Sequence, residues 1–199
     1  MNRECMNVVY ASNDGYARHL GTSLYSLLDK NRDFEEIAVY VLTLGLSEEN
    51  QERLREIAEY FGRSLFFLNL DDLRERIGYE VDTGGFDISI MLRLFMGDML
   101  PETVERVLYL DCDTVVLQSL KHLWKENLEG SIVGAVMEPT IYETVKETID
   151  LGEEDPYYNS GVLLVDLKQW REQEIQKKLL EFWKSRGGKL FASDQDVIN

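Results

Sequence analysis

What most constrains the fold of this chain is an alternation of two hydrophobic periods. Residues 6–11 (MNVVYA) form a short apolar run, the turn-prone Ser12-Asn13-Asp14-Gly15 follows, and Ala17, Leu20, Leu24, Leu27 and Leu28 then recur at helical spacing. The unit repeats. Residues 37–44 are a β-branched apolar run, Ser47 is a ready helix cap, Leu54, Ile57, Ala58 and Phe61 make a second stripe, and Gly62 ends it. Residues 64–68 read as a third strand. Such alternation predicts a parallel sheet with right-handed crossovers and helices on its flanks.

Further along, the period weakens between residues 71 and 87, where Gly78, Gly84 and Gly85 cluster, and this stretch is expected to be a loop-rich connection with a short helix and a mobile active-site loop. Residues 88–100 resume helical spacing up to Pro101. Three more strands are expected over residues 106–110, 131–137 and 161–165. A last clear helix follows Asp166, with Trp170, Leu179, Phe182 and Trp183 on its apolar side. No repeat, linker or low-complexity stretch divides the 199 residues, so a single domain over 1–199 is expected.

The formal charge is −16, with 21 basic and 37 acidic side chains, and each half of the chain contributes −8. An evenly acidic surface disfavours nucleic acid and anionic lipid as partners. A site for an anion such as a diphosphate then needs a local device: a cation, a helix N-terminus or a bound metal. Cys5 and Cys112 are read as buried thiols of a reducing compartment. Nothing reaches the roughly 18 apolar residues of a membrane span, and the N-terminus has no signal-peptide pattern. A cytoplasmic location is expected.

The strongest chemical signal is Tyr109-Leu110-Asp111-Cys112-Asp113-Thr114-Val115, an apolar strand ending in two acids at i, i+2. On a continuing strand both carboxylates share one face, where close like charges share a proton or bind a cation. Hard oxygen ligands suit Mg²⁺ or Mn²⁺. Two enzyme classes carry this signature. Haloacid-dehalogenase-like phosphatases resemble it, with Asp111 as nucleophile and Asp113 as acid/base. They place it on their first strand, however, and need an acidic pair at the end of a later strand, for which residues 191–193 before Asp194 are too short a run.

The other class fits more of the chain. Val9-Tyr10-Ala11-Ser12-Asn13-Asp14-Gly15-Tyr16-Ala17, Arg93-Leu94, Leu110-Asp111-Cys112-Asp113, Gly134-Ala135-Val136-Met137-Glu138, Tyr158-Asn159-Ser160-Gly161-Val162-Leu163-Leu164 and Asp194-Gln195-Asp196-Val197-Ile198-Asn199 stand in the order seen in glycosyltransferase family 8, which the chain resembles over essentially its whole length. The resemblance implies a GT-A-like α/β fold with a mostly parallel, Rossmann-like sheet. It implies retaining transfer of glucose or galactose from UDP-glucose or UDP-galactose to a saccharide, glycolipid or glycoprotein acceptor. Asp111 and Asp113 are then the Mn²⁺ (or Mg²⁺) ligands. Ala11, Asn13, Asp14, Tyr16, Arg93, Cys112, Glu138, Asn159 and Ser160 contact the donor, and Gln195 and Asp194 stand beside the anomeric carbon.

Parts of these roles also follow from residue chemistry. A loop after strand one is where open α/β sheets bind nucleotides, and Asn13 and Asp14 can bond base and ribose edges while Tyr16 packs on a ring. Arg93 sits on a helix whose other residues are nearly all apolar, so its guanidinium faces inward and wants an anion, with a surface ion pair as the alternative. Two departures stand out: Met91 occupies a position where the family commonly has Tyr, and Gly15 replaces a side chain used near the ribose. The family pattern continues past Asp-Gln-Asp into a segment whose histidine is a third Mn²⁺ ligand and whose lysine meets the diphosphate. The sequence ends at Asn199, and His19 and His122 have no such context. An incomplete C-terminal part is therefore expected, with peripheral membrane association left open for a longer form, and a chain that binds UDP without turnover is the alternative.

Overall fold

The computed structural model describes residues 5–141 and 143–199. β1 (Cys5–Asn13) leads through a 3-10 turn (Asp14–Tyr16) into α1 (Ala17–Lys30); β2 (Glu36–Leu44), α2 (Glu48–Tyr60) and β3 (Ser64–Asn69) follow. The expected caps are in place: Ser47 Oγ accepts the Asn50 amide, and Gly62 takes φ 63° just past the end of α2. Then come α3 (Leu73–Ile77), a 3-10 segment (Ile88–Phe95), α4 (Met96–Met99), β4 (Arg106–Leu110), α5 (Lys121–Trp124), β5 (Val133–Met137) and α6 (Glu143–Glu147). β6 (Tyr158–Asp166), α7 (Leu167–Glu172), α8 (Ile175–Ser185) and α9 (Asp194–Ile198) complete the order.

The described strands form one sheet in the order β3-β2-β1-β4-β6-β5. β1 pairs with β2 and β4, and β2 with β3, all in parallel, whereas β6 runs antiparallel to both its neighbours. The α/β expectation holds, as a mixed sheet. Among the described residues the link between β5 and β6 carries the short α6, and a return without a long crossover helix brings the chain back reversed.

Period-two alternation divides the core between the sheet faces. Val8, Tyr10, Val39 and Val41 pack under α1 with Leu20, Leu24 and Leu27, while Val9, Tyr40 and Leu42 face Leu92, Phe95, Trp170 and Trp183. β3, at the edge, is only half covered, and its exposed Phe66 stacks on Tyr40 with centroids 5.2 Å apart.

Two expected helices are corrected. Residues 88–100 form a 3-10 segment followed by a single α turn, not one α-helix. With three residues per turn, side chains at i and i+3 eclipse, so Ile90 and Arg93 share a line, and both reach the cleft described below. The helix after Asp166 is broken between α7 and α8 at Glu174, whose φ is 51°. Met91, where a polar contact is missing relative to the family pattern, is wholly buried. Cys5 is half-buried rather than buried, and both cysteines are free thiols. No helix among the described residues is long and apolar enough to cross a membrane.

Candidate active site

Where the parallel strands end, a cleft of about 340 Å³ opens, lined by the loop after β1, the 3-10 segment, the turn after β4, the start of β6 and the start of α9. Ala11, Asn13, Tyr16, Arg93, Asp111, Cys112, Asp113, Ser160, Asp194 and Gln195 all line it. Three expected donor residues do not. The Asp14 carboxylate turns to the next helix, accepting the Ser47 amide at 2.8 Å and the Asn50 side chain at 2.8 Å. Glu138 and Asn159 bond to each other at 3.5 Å, and Asn159 Oδ1 accepts the Gly161 amide at 2.8 Å, close to the Asp111 carboxylate.

Asp111 and Asp113 are not on a continuing strand. β4 stops at Leu110, and Thr114 closes a turn on the Asp111 carbonyl through its amide at 3.2 Å and its hydroxyl at 2.7 Å. A buried hydroxyl chain supports that turn from below: Thr114 Oγ1 lies 3.1 Å from Ser23 Oγ, which lies 3.0 Å from Tyr10 Oη. Cys112 ties it to β1 by donating to the Ala11 carbonyl at 3.1 Å, and burial pushes this thiol up to about 12. Opposite, Gly161 leaves room for the carboxylate as placed, because a Cβ there would stand 2.6 Å from Asp111 Oδ2.

Arg93 does not form a surface ion pair: it is 6% exposed and held from every side. Nη2 meets Asp111 Oδ1 at 3.0 Å, Nε meets Asp194 Oδ2 at 2.8 Å, and Nη1 donates to the Ser160 carbonyl at 2.9 Å and hydroxyl at 3.2 Å. The guanidinium lies over the Tyr109 ring, 4.7 Å from its centroid, and the Tyr109 hydroxyl donates to Asp111 Oδ1 at 2.9 Å. Burial works against the Arg93 charge, but Tyr109, Asp194 and Asp111 outweigh it and raise its pKa. The Asp194 carboxyl is raised by its own burial, with Arg93 opposing. The anion that Arg93 needs is thus supplied inside the protein. Its fork joins the turn after β4 to the start of α9, residues about 80 apart in sequence.

Two carboxylates retain unused oxygens here. Among the described residues, no side chain or backbone group donates to Asp113 or to Asp111 Oδ2, and no cluster of three His, Cys, Asp or Glu has metal-binding geometry. His19 packs against Tyr16 at 5.4 Å, and His122 is exposed on α5. Sequence reasoning missed Asp87, Ser89 and Phe86 on the cleft wall. Asp87 caps the 3-10 segment by accepting the Ser89 amide at 2.9 Å, and Ser89 takes a bond from Asn13 at 3.1 Å. The Asp-x-Ser cap is legible in the sequence; its meeting with Asn13 is not. Asp194-Gln195-Asp196 opens a helix, so the strand-end acidic pair of the phosphatase reading is absent from that place.

The fold has close counterparts. The crystal structure of galactosyltransferase LgtC in complex with donor and acceptor sugar analogs superposes with a TM-score of 0.87 at 30% identity, covering 98% of this chain and 69% of that one. General stress protein A of Bacillus subtilis is 31% identical over 98% of the chain and 68% of its own length. The lipopolysaccharide 1,2-glucosyltransferase of Escherichia coli is 30% identical, and there the chain spans 58% of the relative. Residues 7–199 match the model of glycosyl transferase family 8. The order of motifs, the sheet and that match agree, and the chain belongs to glycosyl transferase family 8.

Proposed function

We propose that residues 1–199 form the donor-binding unit of a retaining hexosyltransferase that moves glucose or galactose from a UDP-sugar to a saccharide-bearing acceptor. The observation that carries the reading is the convergence of Asp111, Asp113, Arg93, Asp194 and Gln195 with the β1 loop in one cleft. Asp111 and Asp113 offer unused hard oxygens to Mn²⁺ or Mg²⁺, with the remaining positions left to phosphate oxygens and water. When bound, the ion neutralises the departing diphosphate as a Lewis acid. Arg93 holds Asp111 by one oxygen and so fixes the direction of the other. Asn13, itself bonded to Ser89, and Tyr16 form the nucleoside end.

Asp194 is committed to Arg93, which favours front-face attack by the acceptor hydroxyl over an enzymatic nucleophile at that position. The bond from the anomeric carbon to the phosphate oxygen breaks as the acceptor oxygen bonds on the same face. The acceptor proton leaves with the diphosphate. The free thiols fit a reducing, cytoplasmic setting.

The test is UDP release from UDP-glucose or UDP-galactose with Mn²⁺ and an acceptor saccharide. Asp111→Asn is expected to lower the rate by about 100-fold or more. Equal rates in both proteins would sink the assignment. The alternative reading is UDP binding without turnover. Calorimetry with UDP and Mn²⁺ separates the two: binding without transfer supports the second.

A further inference from the structure

Asp196 is wholly buried, yet its carboxylate touches neither Arg93 nor the cleft. Oδ2 accepts the Ala192 amide at 2.7 Å, closing the turn that leads into α9, and Oδ1 accepts the Tyr157 hydroxyl at 2.5 Å. That hydroxyl has one proton, and donating it to Oδ1 commits it to Asp196. The Tyr157 oxygen is then left as an acceptor, and Gln195 Nε2 donates to it at 3.4 Å. Two bonds agree on which way the Gln195 carboxamide points. Its nitrogen turns inward to Tyr157, and its oxygen, Oε1, accepts the Ser160 amide at 3.0 Å.

Ser160 is the residue whose carbonyl and hydroxyl receive Arg93. A line of single-direction hydrogen bonds thus runs from the buried Asp196 carboxyl to the cleft wall. We propose that Tyr157 and Asp196 are positioning residues: the pair locks the orientation of the Gln195 carboxamide and, through Ser160, the seat of the Arg93 fork. The inference rests on the donor-site reading above and deepens it. A buried carboxylate with both oxygens occupied is also poorly placed to attack a sugar, so its work is to orient.

Two variants test this. Tyr157→Phe removes the oxygen that receives Gln195 while keeping the ring. Asp196→Asn replaces one acceptor oxygen with a donor, so that either the Tyr157 proton or the Ala192 amide loses its partner and the carboxamide is freed to turn over. Near-ultraviolet circular dichroism checks that each variant is folded. The first readout needs no activity: in the ¹⁵N–¹H spectrum the Gln195 side-chain amide is expected to exchange with solvent at least tenfold faster in Tyr157→Phe than in the parent. The second is kinetic, with kcat for sugar transfer falling at least tenfold while KM for the UDP-sugar stays within twofold.

An unchanged Gln195 signal in a folded Tyr157→Phe protein overturns the lock. A shifted signal with unchanged kcat leaves Tyr157 as a packing residue and overturns its positioning role. If the parent protein transfers no sugar, the exchange arm still decides the lock, so failure of the functional reading is distinguishable from failure of this one. Should Tyr157→Phe not fold, Asp196→Asn carries the same two readouts, with the same results supporting or overturning the proposal.

Discussion

Burying a guanidinium costs several kcal/mol unless anions and carbonyls meet it, and Arg93 meets Asp111, Asp194 and Ser160 at once. Arg93→Ala leaves Asp194 buried and unpaired, so a loss of about 3–5 kcal/mol is expected in urea unfolding. Arg93→Lys keeps the charge but not the planar fork, and recovers only part of that. Cys112 gives a second residue-scale expectation. With its thiol pushed up to about 12 by burial, it stays unmodified by iodoacetamide at pH 8 in the native protein and reacts once urea unfolds it. Mass spectrometry of the labelled peptide reads this directly. Asp14 gives a third. The Ser47 and Asn50 bonds hold its carboxyl below its usual range, so folding lowers its pKa. The tie between the β1 loop and α2 is therefore present above the ordinary Asp value of about 3.9 and is lost as pH falls through the lower folded one. The Ser47 amide shift should follow that titration.

At the scale of elements, the close approach of β6 to the turn after β4 is the sensitive point. Gly161→Ala sets a methyl 2.6 Å from Asp111 Oδ2, and the carboxylate must move. Calorimetry should show weakened Mn²⁺-dependent UDP binding, with about 1–3 kcal/mol lost in stability. Strands with long apolar runs, such as residues 37–44, were legible because burial on both faces leaves one pattern. The reversal of β6 was not, because Gly161 to Val165 reads the same in either direction and only pairing with Leu110 to Arg106 sets it. The 3-10 segment was hidden for a related reason. Apolar residues surround it nearly all round, so 3.0 and 3.6 residues per turn fit the pattern equally until the Arg93 partners choose. Asp111, Asp113, Arg93, Asp194 and Gln195 were singled out by motif; the engagement of Arg93 with Asp111 and Asp194 was not legible, because no local rule tells a guanidinium to face two acids of its own chain instead of a ligand.

For the whole molecule, a charge of −16 opposes any approaching diphosphate, and the cleft's own guanidinium is already spent on internal acids. Donor binding is therefore expected to depend on divalent metal far more than on ionic strength. Removing the metal with EDTA should weaken UDP binding at least about 100-fold in calorimetry, whereas added salt should shift it little in the presence of Mn²⁺. The sheet order has a consequence for how the protein comes into being. β1, β2 and β3 pair with near neighbours in the chain, but the cleft closes only when α9 docks on Arg93 and the turn after β4. Contacts of long sequence separation form late, since their loop closure must be compensated before they are rewarded. In stopped-flow refolding, recovery of UDP binding should lag behind the far-ultraviolet signal of the β1–β2–β3 half, with the cleft expected to be the last part of this molecule to become native.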